Sequence, residues 1–183
     1  MMSSSYFYGE NRVLHKSLKF RALQGFSLIE LIVVIAILGI LTAIAIPSFN
    51  ETMLGAKLRS YAYTLVGNAY LARGEAIKGN APVTICVSTN GTSCSTTGKW
   101  EDGWIVLSGS TVVQRQEALA AGYKVTETDG KISLTFQPTC IGATKATLTI
   151  CRAKPKPGSQ ERVVTISTTG RPSASKTTAG SCA

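Results

Sequence analysis

Between Phe26 and Ile46 the chain reads FSLIELIVVIAILGILTAIAI, a run of twenty-one residues whose one charged side chain is Glu30. At about 1.5 Å per helical residue such a run crosses a hydrocarbon layer of about 30 Å. A carboxylate inside hydrocarbon costs several kcal/mol, so Glu30 is read first as functional. Gly25 stands directly before the run, and Glu30 is the fifth residue after it.

The 183 residues leave room for one modest domain beyond the apolar run. Glycine, serine and threonine are plentiful after Asn80, which suits strands and turns. The formal charge is +9, unevenly spread. Arg12, Lys16, Lys19 and Arg21 outweigh Glu10 before Gly25, and residues 26–139 balance. Residues 140–183 carry Lys145, Arg152, Lys154, Lys156, Arg162, Arg171 and Lys176 against Glu161 alone. A local excess of this kind points to a polyanionic or acidic partner, or to a solubilising surface.

All five cysteines (Cys86, Cys94, Cys140, Cys151 and Cys182) follow the apolar run, as expected of a domain in an oxidising compartment with two bridges and one spare thiol. Cys86 and Cys94 flank an Asn90-Gly91 turn signal and suit a short-loop bridge. Cys182 would tie down the tail through Cys140 or Cys151, and the sequence does not choose between them. No zinc-ligand spacing occurs, so neither a metal nor another cofactor is expected. His15, the sole histidine, precedes the run. A chain trimmed at Gly25 therefore lacks any Ser-His or Cys-His nucleophile, and catalysis is not expected.

Three readings of the run compete. A secretory signal finds an A-x-A site in Ala43-Ile44-Ala45, but its apolar region is normally shorter and uncharged. A plain anchor, with Lys16, Lys19 and Arg21 held on the cytoplasmic side, accounts for neither Gly25 nor Glu30. The string Gly25-Phe26-Ser27-Leu28-Ile29-Glu30 resembles the processing site of type IV prepilins and pseudopilins. That resemblance implies cleavage between Gly25 and Phe26 by a prepilin peptidase and methylation of the Phe26 amine. Glu30 would then set subunit register by pairing with the amino terminus of a neighbour, where two charges costly in hydrocarbon offset one another.

Pro47 ends the unbroken run and is expected to kink or loosen the helix. Leu54, Leu58, Tyr61, Leu65, Ala69, Ala72 and Ala76 recur every three or four residues, predicting that the helix resumes with one apolar face. Gly79-Asn80 before Pro82 supplies a stop. Strands are expected at Pro82 to Ser88, Trp100 to Leu107, Thr111 to Glu117, Tyr123 to Thr126, Lys131 to Phe136, Lys145 to Cys151 and Arg162 to Ser167. The expected fold is α+β and pilin-like: a long N-terminal helix packed on antiparallel sheets. Its segments are a cleaved leader (1–25), a transmembrane and assembly helix (26–46), an amphipathic second half (47–79) and a disulfide-bearing β domain (80–183). Trp100 and Trp104 would share one strand face, as a buried anchor or as a base-stacking platform.

Ala72-Arg73-Gly74-Glu75-Ala76-Ile77, Pro82-Val83-Thr84-Ile85-Cys86 and Trp100-Glu101-Asp102-Gly103-Trp104 resemble the GspH/FimT group of minor pilins and pseudopilins. Thr169-Gly170-Arg171 resembles a late turn of that group. The resemblance implies a minor subunit that primes a type IV pilus and enters it at low copy, with other minor pilins and the major pilin as partners. It would sit in the inner membrane with its C-terminal domain periplasmic, and later in the pilus at the cell surface. A type II secretion pseudopilus is the alternative machine. The FimT branch also binds DNA for uptake through a Gly-Arg-x-Arg motif. Here Gly170-Arg171-Pro172-Ser173 keeps the first arginine and has serine in place of the second. Arg171, Arg152, Lys154 and Lys156 are the DNA-binding candidates, since phosphate neutralisation needs clustered cations.

Overall fold

The computed structural model describes residues 26–139, 141–154, 157–180 and 182; the leader 1–25 with Gly25, and Cys140 and Lys156, lie outside the described residues. Helix α1 spans Leu28–Gly79, and its helical assignment continues through Pro47. It is followed by β1 (Val83–Val87), β2 (Trp104–Ser108), β3 (Thr111–Gln116), β4 (Tyr123–Glu127), β5 (Ser133–Phe136), β6 (Ala146–Arg152), β7 (Glu161–Ile166) and β8 (Pro172–Thr177). The chain divides into two compact units, the first ending at Ala43 and the second running from Ile44 to the end.

The described part of the first unit is helix alone. Leu, Ile and Val on every side of it are exposed, from Leu28 through Leu41. Among the described residues nothing shields them, and an apolar surface of this extent suits a bilayer or neighbouring chains.

The second unit has one core. Leu54, Leu58, Ala62, Leu65, Ala69, Ala72 and Ala76 form its helical side. Spacings of three and four put these residues on one face, and the change from leucine to alanine narrows that face toward the C-terminal end. Tyr61 is only half-buried. Its ring meets Tyr123 edge-on at 5.3 Å, and its hydroxyl accepts the Ala120 N–H at 3.1 Å. The helix ends where Asn80 takes a left-handed φ of 46° and the Ala81 N–H reaches back to the Ala76 carbonyl at 3.2 Å.

Strands supply the bulky side of the core in two antiparallel sheets, ordered β3-β2-β1-β5 and β4-β6-β7-β8. Period-two alternation sends Val83, Ile85 and Val87 of β1, Leu134 and Phe136 of β5, Leu148 and Ile150 of β6, and Val164 and Ile166 of β7 into the shared cluster. Glu101 links the sheets by a carboxylate that accepts the Val125 N–H at 3.2 Å.

Two features depart from the sequence expectation. Trp100 lies in a single tight helical turn, Trp100–Asp102, and β2 starts only at Trp104. Gly103 between them adopts φ 110°, and a Cβ there would come within 2.8 Å of the Gln116 carbonyl. That backbone bend breaks the strand the alternation predicted. Both indoles are buried, with ring centroids 6.3 Å apart, and the Trp100 Nε1–H donates to the Lys131 carbonyl at 2.8 Å. The pair is a core anchor, and no face is free for a nucleobase. The second departure is β8, whose sequence PSASKT carries no apolar alternation; it pairs along the whole of β7, from Glu161↔Thr177 to Ile166↔Pro172.

Each sheet carries one outward cysteine on a central strand, clasped by a covering segment. Cys86 on β1 bonds Cys94, and Cys151 on β6 bonds Cys182, with sequence separations of 8 and 31. Beside the second clasp the Glu161 carboxylate, 2 % exposed, accepts the Cys182 N–H at 3.2 Å. In a chain-entropy view a closed loop of 31 residues stabilises by about 3–4 kcal/mol and one of 8 by about 2–3 kcal/mol. Cys182→Ser should therefore lower stability more than Cys94→Ser. Urea unfolding of the oxidised chains, each compared with the parent, checks the order.

Candidate functional site

The first functional candidates sit at the start of α1. Ser27 caps the helix: its Oγ accepts the Glu30 N–H at 3.2 Å, and its carbonyl accepts the Leu31 N–H at 3.1 Å. This fixes Glu30 in the first turn, where the helix dipole favours an anion. Glu30 and Phe26 are both exposed, Phe26 at 77 %. Among the described residues no cation pairs with the Glu30 carboxylate. The cap thus presents an unpaired, exposed carboxylate on the first turn. The run behind it is long and apolar enough to cross a membrane.

The candidates for nucleic-acid contact do not fall together. Arg152 closes β6 opposite Tyr123, and Lys154 follows two residues later. Arg171 lies in the β7–β8 turn, beyond the opposite end of the same sheet, where Ala146 pairs with Ile166 and Ile166 with Pro172. The length of β6, about 20 Å at 3.3 Å per residue, separates the two ends. Arg171 is exposed, with its N–H on Ser167 Oγ at 3.1 Å. Gly170 beside it takes φ 72° and packs close to Phe136 and Ala143, so the turn is pinned to the core. Lys145 shares a shallow groove with Arg171, together with Thr147, Thr165, Ser167 and Ser173.

Two groupings have no simple sequence signal. Arg162 and Lys176 face each other across β7 and β8, next to Arg59 on the helix; only the unforeseen strand β8 brings them together. Glu127, buried at the end of β4, accepts the N–H groups of Asp129 and Lys131, both at 2.8 Å, and serves as a turn staple. Among the described residues no cluster of His, Cys, Asp and Glu could hold a metal ion.

The family described as Type II transport protein GspH matches residues 62–170, more than half of the chain. The prokaryotic N-terminal methylation motif matches residues 21–46. No curated protein matches the chain. The fold is similar to that of the type IV minor pilin FimU of Pseudomonas aeruginosa in two crystal forms, each 21 % identical. One form gives a TM-score of 0.51 and covers 64 % of this chain and 92 % of that one. The other gives 0.52, with 66 % and 89 % covered. The minor pseudopilin EpsH of the Vibrio cholerae type 2 secretion system is 14 % identical, with a TM-score of 0.46 over 65 % of this chain and 96 % of its own. An apolar N-terminal helix behind a methylation motif and the family match over more than half of the chain agree: the chain belongs to the family described as Type II transport protein GspH, and its helix-on-two-sheets fold is similar to that of FimU.

Proposed function

We propose that this chain is a minor pilin that primes assembly of a type IV pilus and enters the fibre at low copy. The methylation motif over residues 21–46, with Glu30 held in the first turn of an uncovered apolar helix, carries the reading. In this account the prepilin peptidase cuts between Gly25 and Phe26 and Phe26 becomes the methylated terminus. The apolar helix waits in the inner membrane with the β domain outside until the subunit is extracted. Glu30 then takes the free amine of an adjoining protomer, other minor pilins first and the major pilin after them. Charge neutralisation in a low-dielectric setting favours the correct axial step, because any other step leaves both charges alone. FimU is a type IV minor pilin by description, which favours the pilus over the secretion pseudopilus. No step asks for catalysis or a cofactor.

Glu30→Val, expressed at native level, should leave cleavage after Gly25 nearly intact and reduce pilus number sharply. Mass spectrometry of the mature chain and counting of surface pili measure the two effects separately. Normal piliation in that variant would end the register idea.

A second reading, DNA reception for natural transformation, is favoured by the exposed pair Lys145 and Arg171 among hydroxyl side chains. On this reading the full chain in detergent retards duplex DNA in a gel, and affinity falls with salt. Lys145→Ala with Arg171→Ala should weaken it and reduce the salt slope by about one per cation removed. Arg152→Gln should change little, being at the far end of the sheet. Affinity indifferent to salt would exclude the reading.

A further inference from the structure

A groove of about 1000 Å³ runs beside the helix just where the apolar run ends. Ile46, Met53, Leu54 and Ala56 give it an apolar wall, and Lys57 and Arg152 give it cations. The Arg152 Nε–H is buried and has no acceptor. A buried donor without a protein partner calls for a bound acceptor such as a water or an ion, and Arg152 brings its guanidinium charge to the groove wall. Lys57 is exposed, with its ammonium 5.4 Å from the Tyr61 ring centroid. Glu51 also lines the groove, but its carboxylate is engaged by the Ser159 hydroxyl.

A second groove of about 520 Å³ adjoins it and shares Glu51 and Ala56. Arg59, Arg162 and Lys176 line it together with Thr52 and Gln160. Five cations from one helix and three strands therefore gather around a single stretch of helix. Among the described residues none of the five is in an ion pair. By contour alone Arg59 is within about 20 Å of Ile46, at 1.5 Å per helical residue.

From this geometry we infer that the collar binds an anionic glycerophospholipid. The phosphate diester accepts from Arg152 and pairs with Lys57, and the first methylenes lie along Ile46, Met53 and Leu54. Arg59, Arg162 and Lys176 raise the local concentration of anionic headgroups. The inference rests on the membrane-anchored reading of residues 26–46. An amphipathic occupant is required because one groove is apolar on one wall and cationic on the other. A lipid is the occupant that a chain anchored at Ile46 meets at once. Clustered basic residues next to a membrane segment have this preference, and each contributes separably to it. A subunit whose collar holds lipid leaves the bilayer only when assembly offers a competing contact.

The test inserts the full chain into phosphatidylcholine nanodiscs doped with phosphatidylglycerol that carries a photoreactive group near its glycerol. After irradiation, lipid-bearing peptides are mapped by mass spectrometry. Label should fall on the peptides holding Met53 to Lys57 and Arg152, in excess over the matching phosphatidylcholine probe. Each of K57Q and R152Q should lower it about fivefold, with K57R near parent and the distant R115Q unchanged. Lys57 projects from the helix surface, so K57Q tests the idea even if R152Q disturbs the fold. Equal labelling by the two probes overturns the inference. So does label that survives K57Q with R152Q, chain-to-chain products at the same peptides, or loss of label to millimolar glycerol phosphate, which would make the ligand a soluble phosphate. Release of the chain from the nanodisc by alkaline carbonate would instead overturn the anchoring on which the inference rests, and is scored separately.

Discussion

The seating of one helical face on two sheets organises everything else in the β domain. Leu54, Leu58 and Leu65 give way to Ala69, Ala72 and Ala76 along that face, while Trp104, Phe136 and the branched residues of β1, β6 and β7 come from the other side. Small against large is how a close-packed interior is filled without voids. The sheets do not pair with each other, and the helix residues they share, with the Glu101 bridge, hold them in one body. Burial of this face belongs to the second unit; the described residues of the first are helix alone. The helix is thus a single element in two settings, buried along one face from Leu54 onward and exposed on every side among the described residues before Ala43.

Much of this was legible in the chain because it rests on periodicity. The three-and-four spacing from Leu54 to Ala76 identified the buried helical face, missing only that Ala62 is fully covered and Tyr61 half so. Alternation in Val83 to Val87 and Leu148 to Cys151 marked strands that form. Where backbone conformation overrode side-chain pattern, reading failed. A bend at Gly103 took Trp100 out of β2, and an edge strand with six small or polar residues had no pattern to show. Edge strands bury little, so hydrophobicity does not write them into sequence.

The same blind spot governs the candidate site. Phe26 and Glu30 stand out by their neighbours in sequence, and the structure adds the Ser27 cap that fixes Glu30 in the first turn. The basic residues were readable as a count and not as an arrangement. Treated as one excess of charge in residues 140–183, they looked like one surface. The register of β6, β7 and β8 divides them, with Arg171 and Lys145 at one end and Arg152, Arg162 and Lys176 at the other. Helix residues Lys57 and Arg59, far away in sequence, join the second group. Charge balance along a chain says how much; only pairing of strands says where.

The clasp between Cys151 and Cys182 has a consequence for biogenesis. Synthesis delivers Cys182 only after Cys86, Cys94, Cys140 and Cys151 are already available. The local Cys86–Cys94 link can close early without error. Cys151 must stay reduced, or be freed again, until the tail arrives, with Cys140 only eleven residues away as a nearer and wrong mate. Shorter loops close faster, so the first bond made by Cys151 is biased against the native one. Maturation of this subunit should accordingly lean on thiol exchange, and cells short of a disulfide isomerase would accumulate it in a mispaired form.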